Sequence, residues 1–82
     1  MTLGERLNNE RKKLNLSTEE VAKRCGVSRS YITLIENNQR FPSSKVLPKL
    51  AQVFQVKTNV VLNWYLEDVR EKMEKKLNIV SE

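Results

Sequence analysis

Between Ala22 and Glu36 the chain reads Ala-Lys-Arg-Cys-Gly-Val-Ser-Arg-Ser-Tyr-Ile-Thr-Leu-Ile-Glu, two short helices broken at Gly26. The second helix opens on Ser28, Arg29 and Ser30, hydrogen-bonding side chains with no obvious partner inside the chain. Such groups suit recognition of a polar or anionic partner rather than bond-making. With no histidine and the single Cys25, a zinc site or a cysteine–histidine nucleophile is excluded. No phosphate-binding loop or convergent carboxylate pair stands out, so an enzyme is not expected, and no cofactor or metal is called for.

Charge points the same way. The net charge of +5 is spread unevenly. Residues 1–57 hold 11 Lys/Arg against 5 Asp/Glu, whereas residues 58–82 hold 4 against 5. Basic charge confined to the first two thirds suits a polyanion there, although many small proteins carry a solvated basic surface. No apolar run approaches the ~20 residues needed to span a bilayer, and Met1-Thr-Leu-Gly-Glu5 has no leader character. The lone cysteine fits a reducing, cytoplasmic setting.

The elements that must position these groups are helical. Two glycines and two prolines in 82 residues leave room for one mostly helical domain. Leu3, Leu7 and Leu14, with Arg11 on the same stripe, predict a first helix over residues 2–14. Ser17 with Glu20 forms a capping box for a second helix with Val21, Ala22 and Cys25 inward. That helix ends at Gly26, placed for a left-handed turn. Ser28 caps a third helix with Ile32 and Ile35 inward. Ser43 or Ser44 is expected to cap a fourth, bearing Val46, Leu47, Leu50, Ala51 and Phe54, with Pro48 in its first turn. Thr58 or Asn59 starts a fifth, reaching about residue 77 and ~30 Å long.

A small Ala22, a turn at Gly26, and Val27 and Ile32 filling the angle describe two helices crossing steeply, a helix-turn-helix over residues 18–37. The chain resembles the Cro/C1-type (XRE-like) helix-turn-helix repressor family. The matching residues are Gly4-Glu-Arg-Leu7, Arg11, Leu16-Ser-Thr-Glu-Glu-Val-Ala22, Gly26-Val-Ser-Arg-Ser-Tyr-Ile32, Ile35-Glu-Asn37 and Leu47-Pro-Lys-Leu-Ala51, covering roughly residues 3–56. The resemblance implies an all-α, five-helix lambda-repressor-like DNA-binding domain over residues 1–57. Residues 58–82 are expected to supply an extended C-terminal helix that serves dimerisation.

It further implies that the third helix lies in the DNA major groove, with Arg29, Ser30, Thr33 and Leu34 toward base edges. An arginine there can pair with guanine, each good pair being worth ~1–3 kcal/mol of discrimination. Leu34 stands where the family often has a polar residue, and Thr18 where it commonly has glutamine. Thr18, Ser28, Tyr31, Asn37, Arg40 and Lys45 are expected at the DNA backbone, with Arg40 and Lys45 foremost, although capping alone accounts for Ser28. Arg11 and Glu36 are assigned to a structural ion pair, and Cys25 to the core.

Leu62, Leu66, Val69, Met73 and Val80 recur at steps near helical, with Lys76 interrupting, and the part beyond about Glu67 is expected to overhang. An overhanging apolar stripe is usually covered by another chain. A homodimer with Trp64, Leu66, Val69 and Met73 at its interface is expected; the alternative is a helix folded onto its own core. The function expected is a bacterial, phage or plasmid regulator, a repressor binding double-stranded DNA at a palindromic operator. The alternatives are an antitoxin-like or restriction-modification controller of the same fold, or a module whose last helix binds another regulatory protein.

Overall fold

A computed structural model describes residues 1–78. Five helices follow one another: α1 (Leu3–Lys13), α2 (Thr18–Cys25), α3 (Arg29–Glu36), α4 (Val46–Val53) and α5 (Thr58–Lys76). None of them is long and apolar enough to cross a membrane.

Local chemistry sets most of the boundaries. Two capping boxes open α1 and α2: Thr2 Oγ1 accepts from Glu5 N–H, and Ser17 Oγ from Glu20 N–H, each glutamate reaching back to the cap. The same bonds hold the Glu5 and Glu20 carboxyls below their ordinary pKa, backbone bonding contributing most. Ser28 caps α3 by accepting from Tyr31 N–H at 3.1 Å. At the far ends a left-handed residue closes each helix: Asn15, Gly26, Asn38, Gln55 and Asn78 all have positive φ. After α1, α2, α3 and α4 the residue following that closure donates back five positions, as Leu16 N–H does to Arg11 and Val27 N–H to Ala22. Leu16, Val27 and Val56, three of those four residues, pack against the core.

Two details depart from the sequence expectation. Neither Ser43 nor Ser44 caps α4 with its side chain; Lys45 is the cap residue, already in helical conformation. The carbonyl of Ser43 instead accepts from Val46 and Leu47, both at 3.0 Å. Pro48 then lies third in the helix, where a missing N–H costs nothing. Leu14 is not part of the inward face. It caps α1, where the chain has left the helix, and is 38 % exposed.

The core joins Leu3 and Leu7 of α1, Val21, Ala22 and Cys25 of α2, Ile32 and Ile35 of α3, Val46, Leu50, Ala51 and Phe54, with Val61 of α5. Cys25 is buried, and burial pushes its thiol pKa up, so it packs as a small hydrophobe. Gly4 is where α1 meets the end of α3: a Cβ there would lie 2.5 Å from the carbonyl oxygens of Ile35 and Glu36. A side chain at position 4 would push the two helices apart.

The start of α5 packs on the body, but the overhang expected beyond Glu67 begins later. Asp68 is 2 % exposed and accepts from Leu3 N–H at 3.1 Å, with Lys72 Nζ 3.3 Å away. Lys72 also sits 4.4 Å from the Phe41 ring centre. The reason lies in α1, whose first-turn amides have no acceptors within their own helix. Glu5 serves Thr2 N–H, Asp68 serves Leu3, Asn38 serves Gly4 and Thr2 serves Glu5. An aspartate 65 positions away thereby ties α5 down as far as Lys72. Val80, counted in the apolar stripe, lies outside the described residues.

Candidate nucleic-acid interface

The helix-turn-helix is built by α2 and α3. Ala22 is buried in their contact and Gly26, at φ 68°, turns the chain between them. Ile32 and Ile35 hold the inner side of α3 in the core, which leaves Arg29, Ser30 and Thr33 exposed on the outer side and Leu34 half-buried. These four side chains line one shallow patch. A second depression beside it brings Arg29 next to Lys23, Val27 and the acidic Glu19.

The groups assigned to the backbone lie around this patch. Ser28 is the exposed cap of α3, and Thr18 is half-buried at the first position of α2. Asn37, Arg40 and Lys45 are exposed on the loop from α3 to α4. Tyr31 organises that loop: its Oη accepts from Ser43 N–H at 2.9 Å, and Arg40 stacks on its ring at 4.8 Å. From the other side Phe41 meets Tyr65 edge-on, ring centres 5.1 Å apart, which anchors the loop to α5.

Electrostatically the region is one-sided. From Ala22 to Leu66 there are seven cations, Lys23, Arg24, Arg29, Arg40, Lys45, Lys49 and Lys57, and one acid, Glu36. Glu36 is neutralised from α1. Arg11 Nε donates to its Oε2 at 2.7 Å and Nη2 to its Oε1 at 3.1 Å, while Asn8 Nδ2 donates at 2.7 Å. Arg11 Nη1 also donates to the Leu16 carbonyl at 2.9 Å. The bonds to Glu36 raise the Arg11 pKa. Both partners are largely shielded, with side chains 15 % and 8 % exposed. None of the seven cations has an ion-pair partner among the described residues. Lys23, Arg24 and Lys49 were not singled out from sequence; their signal was the long stretch free of acids.

The residues assigned to pairing do not all share a surface. Leu66 and Met73 are exposed and Val69 half-buried along one side of α5. Trp64 lies on the opposite flank, toward α1, with Arg6 stacked over its ring at 5.6 Å and Arg6 bonded to Glu67 at 3.0 Å.

Comparison with known proteins follows this geometry. The family model described as a helix-turn-helix domain matches residues 4–69. The chain belongs to the helix-turn-helix family of the Cro/C1 type. Among its relatives is an uncharacterized HTH-type transcriptional regulator of Archaeoglobus fulgidus, 37 % identical over 67 residues, or 82 % of this chain and 94 % of that protein. SinR of Bacillus subtilis, an HTH-type transcriptional regulator, is 36 % identical over 62 residues, 74 % of this chain; they span 56 % of SinR. The structure of SinR in complex with DNA superposes with a TM-score of 0.68 at 34 % identity, covering 74 % of this chain and 98 % of that one. SinR is also known in complex with SinI, a match reaching 94 % of this chain and 76 % of that one, TM-score 0.70, 31 % identity. The P22 c2 repressor bound to a synthetic operator gives a TM-score of 0.73 at 28 % identity, over 78 % of this chain and 97 % of that one. This helix-turn-helix family is one of transcriptional regulators, not enzymes.

Proposed function

We propose that this helix-turn-helix protein is a cytoplasmic transcriptional repressor that binds a palindromic operator as a homodimer, with α3 in the major groove. The observation that carries this is the patch of exposed Arg29, Ser30 and Thr33 with half-buried Leu34, amid cations without ion-pair partners among the described residues. Phosphates supply those counter-ions. Arg29, at the start of α3, reads a guanine, Ser30 and Thr33 hydrogen-bond less selectively, and Leu34 touches a thymine methyl. Thr18, Ser28, Tyr31, Asn37, Arg40 and Lys45 hold the DNA backbone on either side. Residues 1–57 supply the reading head, and the helix from residue 58 onward pairs the two copies. Relatives solved with an operator or with DNA support this reading.

Selection of bound duplexes from a random pool at near-physiological salt tests it. An enriched inverted repeat is expected, with half-sites about one DNA turn (~34 Å) apart. Affinity should fall as salt rises, log K dropping ~0.9 for each phosphate neutralised per tenfold rise in salt. No enriched sequence, or an affinity indifferent to salt, would defeat the reading.

One observation favours a second reading. The outer side of α5 exposes Leu62, Leu66, Met73 and Leu77, which can seat another regulatory protein, and a relative, SinR, is known in complex with SinI. An antitoxin-like or controller protein would share the DNA surface and differ in this partner. A pull-down that depends on α5, without sequence-specific DNA binding, would favour the module over the repressor.

A further inference from the structure

We infer that the cavity between the start of α1, the end of α3 and α5 binds a small zwitterion, an α-amino acid with a short apolar side chain, and that its occupancy weakens DNA binding. The site stands on its own geometry; its effect on DNA rests on the repressor reading proposed above. The cavity holds about 190 Å³. An apolar cavity of ~150 Å³ admits benzene, so a ligand of roughly eight or nine non-hydrogen atoms fits here. Its apolar lining is Leu3, Gly4, Ile35 and Phe41, and its charged lining is Asp68, Lys72 and Arg40.

Asp68 points to the ligand's chemistry. It is 2 % exposed, yet only one of its oxygens is bonded: Oδ2 accepts from Leu3 N–H at 3.1 Å and from Lys72 Nζ at 3.3 Å. Oδ1 accepts no hydrogen bond from any described residue. A carboxylate oxygen in so shielded a place requires a donor, and the cavity that Asp68 lines is where one can reach it. Lys72 is incomplete in the opposite sense. Its ammonium has three donors, of which one goes to Asp68, and the Phe41 ring centre lies 4.4 Å away. An acid lacking a donor beside an ammonium lacking an acceptor matches a molecule carrying both charges in reverse order. The ligand's ammonium donates to Asp68 Oδ1 and its carboxylate accepts from Lys72 Nζ, which closes a ring of four alternating charges. A plain carboxylic acid would leave Asp68 without its donor. A plain amine would set a second ammonium near Lys72 with no anion of its own. The ligand's side chain lies against Leu3, Ile35 and Phe41, in space suited to valine or leucine.

Occupancy reaches the DNA surface through Arg40, which has no ion-pair partner among the described residues and stacks on Tyr31 at 4.8 Å. Drawn to a carboxylate in the cavity, its guanidinium is lost to a phosphate. The coupling is reciprocal, so bound DNA weakens the ligand by the same factor.

Titration of the isotope-labelled full-length chain with L-leucine and L-valine, followed by amide shifts, tests the site. Saturable shifts are expected at Leu3, Gly4, Phe41, Asp68 and Lys72. Isocaproate, which is leucine without its ammonium, and isoamylamine, which is leucine without its carboxylate, should each bind at least ~10-fold more weakly. No saturable shift with either amino acid, shifts confined to another part of the chain, or an analogue binding as tightly as leucine would overturn the proposal. Lys72→Met keeps the bond from Leu3 to Asp68, so it folds where Asp68→Asn need not, and it should bring leucine down to the affinity of isoamylamine. An unchanged leucine affinity in Lys72→Met also overturns the site. With a selected operator in hand, saturating leucine should weaken wild-type binding by ~5-fold or more, and the effect should vanish in Arg40→Ala. An operator affinity indifferent to leucine overturns the coupling. Leucine binding alongside no selected DNA sequence would leave the site standing and remove the repressor reading.

Discussion

The outer side of α3 and the outer side of α5 are both surfaces that the fold leaves without internal partners, and they differ in every other respect. On α3 the exposed groups donate hydrogen bonds or carry charge, and the surrounding cations have no ion-pair partner among the described residues. On α5 the outer side exposes large apolar side chains, Leu62, Leu66, Met73 and Leu77. The first surface gains by releasing condensed counterions from a polyanion, a salt-sensitive process. Covering the second would remove apolar area from water, which involves no release of condensed counterions. Phe41 on Tyr65 and Lys72 over Phe41 join the two regions, so the loop carrying Arg40 is braced by the helix carrying the stripe.

The largest blow to this arrangement would come from Glu36, which ties α1, and hence α5, to the end of α3. Glu36→Ala leaves Arg11 shielded without its partner, and a loss of ~3 kcal/mol or more in urea unfolding is expected. A loss below ~1 kcal/mol would show that water already screens the pair and that the two regions are held together elsewhere. The middle effect separates the surfaces. Arg29→Ala should relax preference at one base pair by ~1–3 kcal/mol and leave sedimentation unchanged. Met73→Glu should do the reverse, abolishing self-association while each half-site keeps its base preferences. Because Met73 is half exposed, its effect on folding should stay within ~0.5 kcal/mol. A single variant that alters both readouts would show that the surfaces are coupled. The smallest effect is on pH. Glu5 and Glu20 are held below the ordinary 4.5 by their capping bonds, so their contribution is complete above that value. It is lost as pH falls through their lower folded pKa values. Ser17→Ala should flatten the part of the acid unfolding curve due to Glu20; an unchanged acid limb would mean that the α2 box contributes nothing.

The features legible in the chain were those made by near neighbours. Ser17 with Glu20, Ser28 before α3 and the left-handed Gly26 each concern residues within a few positions, and the structure holds all three. Thr2 with Glu5 carries the same signature as Ser17 with Glu20 and is as legible in the chain. The start of α4 was missed because a main-chain carbonyl, which carries no sequence signal, replaces the side-chain cap. Within the site, the polar face of α3 and the acid-free stretch around it could be read directly. The clasp of Tyr31, Ser43 and Arg40 could not, since the path of the loop between α3 and α4 decides which amide meets the hydroxyl.

The sequence by itself therefore determined five helices, most of their ends, the charge imbalance and the side chains available on α3, because capping and periodicity act over three or four residues. Only the tertiary structure decided that Leu14 would be exposed and Asp68 buried, and how far along α5 the body would reach. Those outcomes depend on pairs such as Asp68 and Leu3, distant in sequence, where unsatisfied amides at the start of one helix select an acceptor from another.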